Sequence, residues 1–137
     1  MTPREILRAQ LRIDEGVRTK PYRDTVGKLS IGVGRNLDDV GLRPDEIAYL
    51  LENDIAEAER CARELFPSFQ RLSVNRRAVL CNMAFNLGQA KLARFQKMRA
   101  AVVAKDFEKA AAEMLRSAWA KQVGPRADRL AKLMKKG

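Results

Sequence analysis

Histidine is absent from the chain, and that absence excludes more chemistry than any single residue supplies. Without an imidazole, no side chain titrates near neutrality by default. Neither a histidine-dependent nucleophilic triad nor a histidine-ligated zinc site can be built, and the sequence implies no metal and no organic cofactor. Cysteine is scarce: Cys61 and Cys81 are the only two. Both fall on apolar faces of predicted helices, so they read as buried free thiols rather than as a disulfide or a metal pair. That suits synthesis in a reducing compartment. Aromatic residues make up 6% of the chain. So few cannot furnish the stacking platforms of a single-strand binder, and no nucleic-acid motif is recognisable, so no nucleic-acid partner is expected. No apolar run approaches the length of a membrane span. The opening MTPREILRAQLRIDEG lacks the apolar centre of a signal peptide.

What the chain does have is positive charge. Lys and Arg number 27 against 17 acids, a net charge of +10 over 137 residues. Hydrophobic residues at 46% and charged residues at 32% describe a globular domain. At this length folding buries roughly two-thirds of the chain's surface, enough for a core without covalent staples. One reading of this charge is solubility with solvated helix faces. The alternative reading of the same charge is a polyanionic partner, whether nucleic acid, anionic lipid or bacterial cell wall, and charge alone does not choose.

Along the chain, Thr2, Pro3 and Glu5 form a helix start, with an N-cap, a proline in the first turn and a capping-box acid. Ile6, Leu7 and Leu11 share one face, and Gly16 is a natural stop, so Glu15 lies at the helix C-terminus. YRDTVGKLSIGVG changes period: Leu29, Ile31 and Val33 alternate, and Val26-Gly27 reads as a turn. Asp24 falls in the first strand of this hairpin or just before it. Gly32 and Gly34 suggest bulges or a close backbone approach. Leu42 to Leu65 returns to helical spacing, with an acidic first turn at Pro44-Asp45-Glu46 and an end at Pro67. A helix of about 20 residues spans about 30 Å and could join two lobes. Ser73 caps VNRRAVLCNMAFNLG, apolar around most of its circumference and therefore a core helix. Shorter helices are expected over Lys91–Ala104, Phe107–Ser117 (capped by Asp106) and Pro125–Lys135. The tail LMKKG reads as frayed.

Two carboxylates stand out. The helix dipole disfavours an ionised Glu15 at the C-terminal end and so favours general-acid behaviour, while Arg12 and Arg18 act the other way. Asp24 taken alone reads as a turn aspartate. Together, a helix-end Glu and a hairpin Asp in different surroundings are the equipment of a glycosidase.

The run LRIDEGVRTKPYRDTVGKLSIGVG closely resembles the active-site segment of phage-type lysozymes, those of the T-even phages and related endolysins. Glu15, Gly16, Tyr22, Asp24, Gly27 and Ile31-Gly32-Val33-Gly34 match that motif in register. RRAVLCNMAFNLG continues the likeness, and SAWAKQVGPRADR does so weakly. The resemblance implies a mostly helical α+β lysozyme-like fold within one domain of residues 1–137. It places a small β lobe at 17–43, a connecting helix at 44–66 and a helical lobe at 67–137, with 1–16 packing on that lobe.

The same resemblance implies hydrolysis of the β-1,4 bond between N-acetylmuramic acid and N-acetylglucosamine in peptidoglycan glycan strands. Glu15 would protonate the leaving oxygen. Asp24 would assist the attacking water, and Ser30 would hold it where the family commonly has threonine. Asn36, Phe85, Asn86 and Arg126 fall at substrate-binding positions. Arg35 stands where the family has histidine, Asn36 where it has an apolar cleft residue, and RNLDDVG makes the small lobe short. Expected with it are a monomer without stable membrane association, cytoplasmic synthesis in a bacterial host, and a holin-like permeabilising protein that admits the enzyme to the periplasm. The competing readings are a lytic transglycosylase, a catalytically weak peptidoglycan-binding relative, and a basic nucleic-acid binder.

Overall fold

The structure, a computed structural model, describes residues Met1–Gly137. The chain forms two compact units, Met1–Tyr49 and Leu50–Gly137.

In the first unit, α1 (Pro3–Glu15) begins as the sequence demands. The Thr2 hydroxyl accepts from the Glu5 N–H, and the Glu5 carboxylate accepts from the Thr2 N–H at 2.8 Å. Two otherwise unpaired donors are thereby satisfied. Gly16, at φ +74°, ends the helix directly after Glu15. Three strands follow, β1 (Arg18–Arg23), β2 (Leu29–Gly32) and β3 (Arg35–Asn36), as an antiparallel meander in the order β1-β2-β3. Tyr22 faces Ser30 across β1 and β2, and Ser30 faces Asn36 across β2 and β3. The β1–β2 register is irregular between Arg18 and Tyr22. Pro21 lies in that stretch, on an edge strand, where its missing N–H costs least. Asp24 lies just after the first strand, in the connection to β2.

A 22-residue helix, α2 (Pro44–Leu65), passes from the first unit into the second. The second unit adds α3 (Val74–Leu87), α4 (Gln89–Ala93), α5 (Gln96–Val103), α6 (Phe107–Arg116), α7 (Ala118–Val123) and α8 (Pro125–Lys136). Ser73, Asp106 and Ser117 cap α3, α6 and α7 through their side chains. The single helix expected over Lys91–Ala104 is two, because the chain turns at Arg94-Phe95; the helix α7 was not foreseen. Of the apolar residues on α3, Val79, Leu80, Met83 and Ala84 are buried, but Val74 and Phe85 are exposed. The helix therefore presents one buried face rather than the all-round burial its composition suggests. Cys61 is buried and Cys81 half-buried, both as free thiols, and burial pushes both thiols up from their usual range. No helix is long and apolar enough to cross a membrane.

The tail corrects a second expectation. Far from fraying at LMKKG, α8 runs to Lys136, and Met134 is fully buried. Arg76 on α3 lies over the Phe107 ring at 3.5 Å and donates to the main-chain oxygens of Met134 at 2.7 Å and Lys135 at 3.0 Å. Those oxygens belong to the last turn, where carbonyls lack helical partners. We expect Arg76→Ala to cost about 1–2 kcal/mol of stability, since charge-assisted bonds and a ring contact are lost together. Urea unfolding and amide exchange over the last turn of α8 would measure it. Arg76→Lys should recover little, because an ammonium cannot reproduce the fork.

Candidate functional site

Glu15 is the last residue of α1, and its side chain extends over the β2–β3 turn. A Cβ built on Gly34 would lie 2.9 Å from Glu15 Oε2 and 3.1 Å from its Cδ. The acid's carboxyl thus rests against bare main chain in a turn made by Gly32, Val33 and Gly34. Both of those glycines have φ of +69°, the left-handed region that side chains avoid. Of these two glycines, read as marking bulges or a close approach, Gly34 makes a close approach, whereas a Cβ on Gly32 would meet open space.

Asp24 occupies the other end of β2. Its Oδ1 accepts from the N–H groups of Val26 at 3.0 Å and Lys28 at 2.8 Å. Its main chain closes the same turn, donating to Lys28 O and accepting from Gly27 N. So the turn role and the proposed chemical role are not exclusive: one carboxylate oxygen builds the turn, and Oδ2 is left over for another task. Ser30, two residues from that turn on the central strand, is 3% exposed and is the buried polar residue of the protein. In the side-chain bonds of the hairpin, Asp24 accepts from Val26 and Lys28 N–H, Asp38 accepts from Leu29 N–H, Arg23 donates to Gly27 O, Lys28 donates to Asp39, and Asn36 and Asp39 bond each other; none uses the Ser30 hydroxyl.

Asn36 lies across from Ser30, but both ends of its amide are taken up by Asp39: Nδ2 donates to the carboxylate at 3.0 Å, and Oδ1 accepts from the main chain at 2.9 Å. Next to it, Arg35 donates to Glu46 at 2.6 Å and to Gly41 O at 3.1 Å, tying the sheet to the first turn of α2. The Arg35 guanidinium holds the Glu46 carboxyl below its usual range, helped by the Arg43 N–H.

In the helical unit, Phe85 and Arg126 line one open groove of ≈ 670 Å³, together with Leu51, Ile55, Val74 and Asn82. Arg126 is held there by Asn82 Oδ1, which accepts from Nε at 3.0 Å and from Nη2 at 2.6 Å. Phe85 is 49% exposed, so it is a surface ring on this unit and not core packing. Asn86 is not on the groove wall; its Oδ1 accepts from the indole N–H of the buried Trp119 at 2.7 Å. Asn82 and Trp119 are the partners that sequence reasoning missed. The available signal was the spacing of Asn82 and Asn86, which puts two amides on one side of an otherwise apolar helix.

The model of the phage lysozyme family matches residues 12–136. The pre-baseplate central spike protein Gp5 of Enterobacteria phage T4 is 29% identical over 163 aligned positions, covering 98% of this chain but only 28% of the spike protein. A probable T4-type lysozyme 2 of Dictyostelium discoideum is 26% identical, covering 96% of this chain and 94% of that protein. Both alignments are longer than the chain itself, so these relatives carry residues that it lacks. With the family model spanning both the Glu15–Asp24–Ser30 unit and the helical unit, the chain belongs to the phage lysozyme family and is a lysozyme-type glycoside hydrolase with peptidoglycan as its substrate class.

Proposed function

We propose that the protein is an endolysin that hydrolyses the β-1,4 bond between N-acetylmuramic acid and N-acetylglucosamine, with Glu15 as the acid and Asp24 as the carboxylate that assists water. The observation that carries this reading is the pairing of two differently held carboxylates on one small unit. Glu15 sits at a helix end against a glycine turn, and Asp24 is anchored through one oxygen with the other unspent. Glycoside hydrolysis asks for this division: one group delivers a proton to the leaving oxygen, the other orients and deprotonates water. Ser30, buried on the strand between them, would hold that water. Phe85 and Arg126 are proposed to bind the glycan. Asn86 and Asn36 would act behind them, through Trp119 and Asp39. The net charge of +10 draws the enzyme to an anionic wall, an effect that salt weakens. Delivery would depend on a membrane-permeabilising partner of the holin kind, with the enzyme acting as a monomer in the periplasm.

A second reading comes from the spike protein, whose name places it in a phage particle. On that reading the lysozyme works as a part of a particle rather than as free protein in a lysate; purified particles would contain it.

Turbidity loss in permeabilised Gram-negative cells tests the assignment. Glu15→Gln should fold normally and lyse nothing; more than a few per cent of the wild-type rate would sink it. For Asp24 the turn bonds allow a sharper comparison. Asparagine keeps an oxygen at Oδ1 and removes the charge, so Asp24→Asn should retain the melting temperature and lose the activity. Asp24→Ala should lose both, with about 1–2 kcal/mol of stability going with the two main-chain bonds.

Ser30→Ala should lower kcat on the order of 10²-fold if the hydroxyl positions water. Ser30→Thr should preserve the rate, since threonine keeps the oxygen and restricts χ1. Rates beside melting temperatures decide: equal activity for alanine at equal stability would deny Ser30 a part in the reaction.

The family resemblance further implies inversion, with water attacking opposite the leaving group and the two carboxyls about 6.5–9.5 Å apart when substrate is bound. NMR of the first-formed product should show the α anomer. A β product would require retention, and Asp24 would then be a nucleophile.

A further inference from the structure

Resting on the reading of Glu15 as the acid, we propose that Gly34 is a positioning residue: its missing side chain is the space that the Glu15 carboxyl occupies. The would-be Cβ at Gly34 meets Oε2 at 2.9 Å, Cδ at 3.1 Å and Cγ at 3.2 Å. All three contacts are with one side chain. No main-chain atom is among them. The group that would give way is therefore the flexible end of Glu15, which would swing aside at little cost to the fold. A methyl at Gly34 thus acts on where the carboxyl stands and far less on whether the turn forms.

Backbone conformation is a separate demand, and the protein contains its own control for it. Gly34 and Gly41 have the same φ, +69°. At Gly41 the nearest atom to a built Cβ is Leu37 O at 3.9 Å, an ordinary contact. Alanine at either position pays for a left-handed conformation, but only at Gly34 does it also collide with Glu15. The difference between the two variants isolates the collision. An acid must lie within hydrogen-bond reach of the oxygen it protonates, and a displacement of about 1 Å costs on the order of 10²-fold in rate.

The experiment compares Gly34→Ala, Gly41→Ala and Glu15→Gln in the full chain. It measures kcat and KM on peptidoglycan, melting temperature, and the side-chain carboxyl ¹³C resonance of Glu15, assigned by its loss in Glu15→Gln. Gly34→Ala and Gly41→Ala should melt within a few degrees of one another. Gly34→Ala alone should lose about 10²-fold in kcat with KM changed only a few-fold, and it alone should move the Glu15 resonance. Equal kcat for the two alanine variants overturns the proposal, as does a fall in kcat with the Glu15 resonance unmoved. If Gly34→Ala does not fold, Gly34→Ala combined with Glu15→Ala decides. Recovery of the fold supports the collision, and continued failure assigns the fault to the backbone and overturns it. An active Glu15→Gln is a different result. It removes the acid assignment and this proposal's catalytic consequence with it, while a shifted resonance in Gly34→Ala would still report the contact.

Discussion

Burial of one continuous apolar cluster, running from Ala58 on α2 to Met134 on α8, is the interaction on which this fold's stability rests. Every buried hydrophobic side chain of the protein belongs to it, and every one lies in the helical unit. Its largest fully buried members are Phe66, Leu80, Leu92 and four methionines, Met83, Met98, Met114 and Met134. Methionine fills irregular gaps between short helices with little strain, which suits a unit assembled from helices as brief as α4 and α7. The caps and the Arg76 clasp then settle the ends that such short helices leave unpaired.

The unit that carries Glu15, Asp24 and Ser30 has no comparable cluster. A meander of short strands is marginal without apolar backing, and here polar contacts do much of the local work. Asp24 closes the β1–β2 turn, Asp38 accepts from Leu29 N–H at 2.8 Å, Lys28 pairs with Asp39 at 3.1 Å, and Arg35 joins Glu46. Exposed ion pairs contribute little singly. Bonds to main-chain N–H groups contribute more, and Asp24 and Asp38 both make them. This explains why a residue proposed for the chemistry also serves as a turn builder: in so small a unit, the groups that hold the site and the groups that use it overlap.

Most of the fold was legible in the sequence because its signals were local. The capping box at Thr2, the stop at Gly16 and the caps at Ser73 and Asp106 each depend on a few neighbouring residues, and the structure keeps them; of the alternating Leu29, Ile31 and Val33, the first two lie in β2, but Val33 falls in the turn beyond it and Ser30 is the buried residue of the strand. What was misread depended on partners distant in sequence. The tail is held by Arg76, which reaches it from α3, and Val74 and Phe85 are exposed on the wall of an open groove that they share with Leu51 and Ile55 of α2. The candidate acid and its hairpin partners were legible by motif. Their context was legible only in part: Asn36 bonds Asp39 three residues on, a local contact that the motif did not announce, whereas Asn86 meets Trp119 across 33 positions of sequence.

If Phe85 and Arg126 bind the glycan as proposed, Asn86 and Asn82 bear on how they do so. A side chain whose amide oxygen is already paired acts on binding by fixing the partner that donates to it. Asn86 orients the Trp119 indole, and Asn82 orients the Arg126 guanidinium with two bonds to one oxygen. That oxygen takes up Nε and Nη2, and the remaining donors of the fork stay available. An arginine held in this way loses less rotamer freedom when it meets an anionic or hydroxyl-rich ligand, so its cost of ordering is met in the folded protein before binding. The groove then combines an exposed ring at Phe85, which suits the apolar face of a sugar, with a preset cation at Arg126. Loss of Asn82 should therefore act on binding through Arg126, with the guanidinium still present but no longer held.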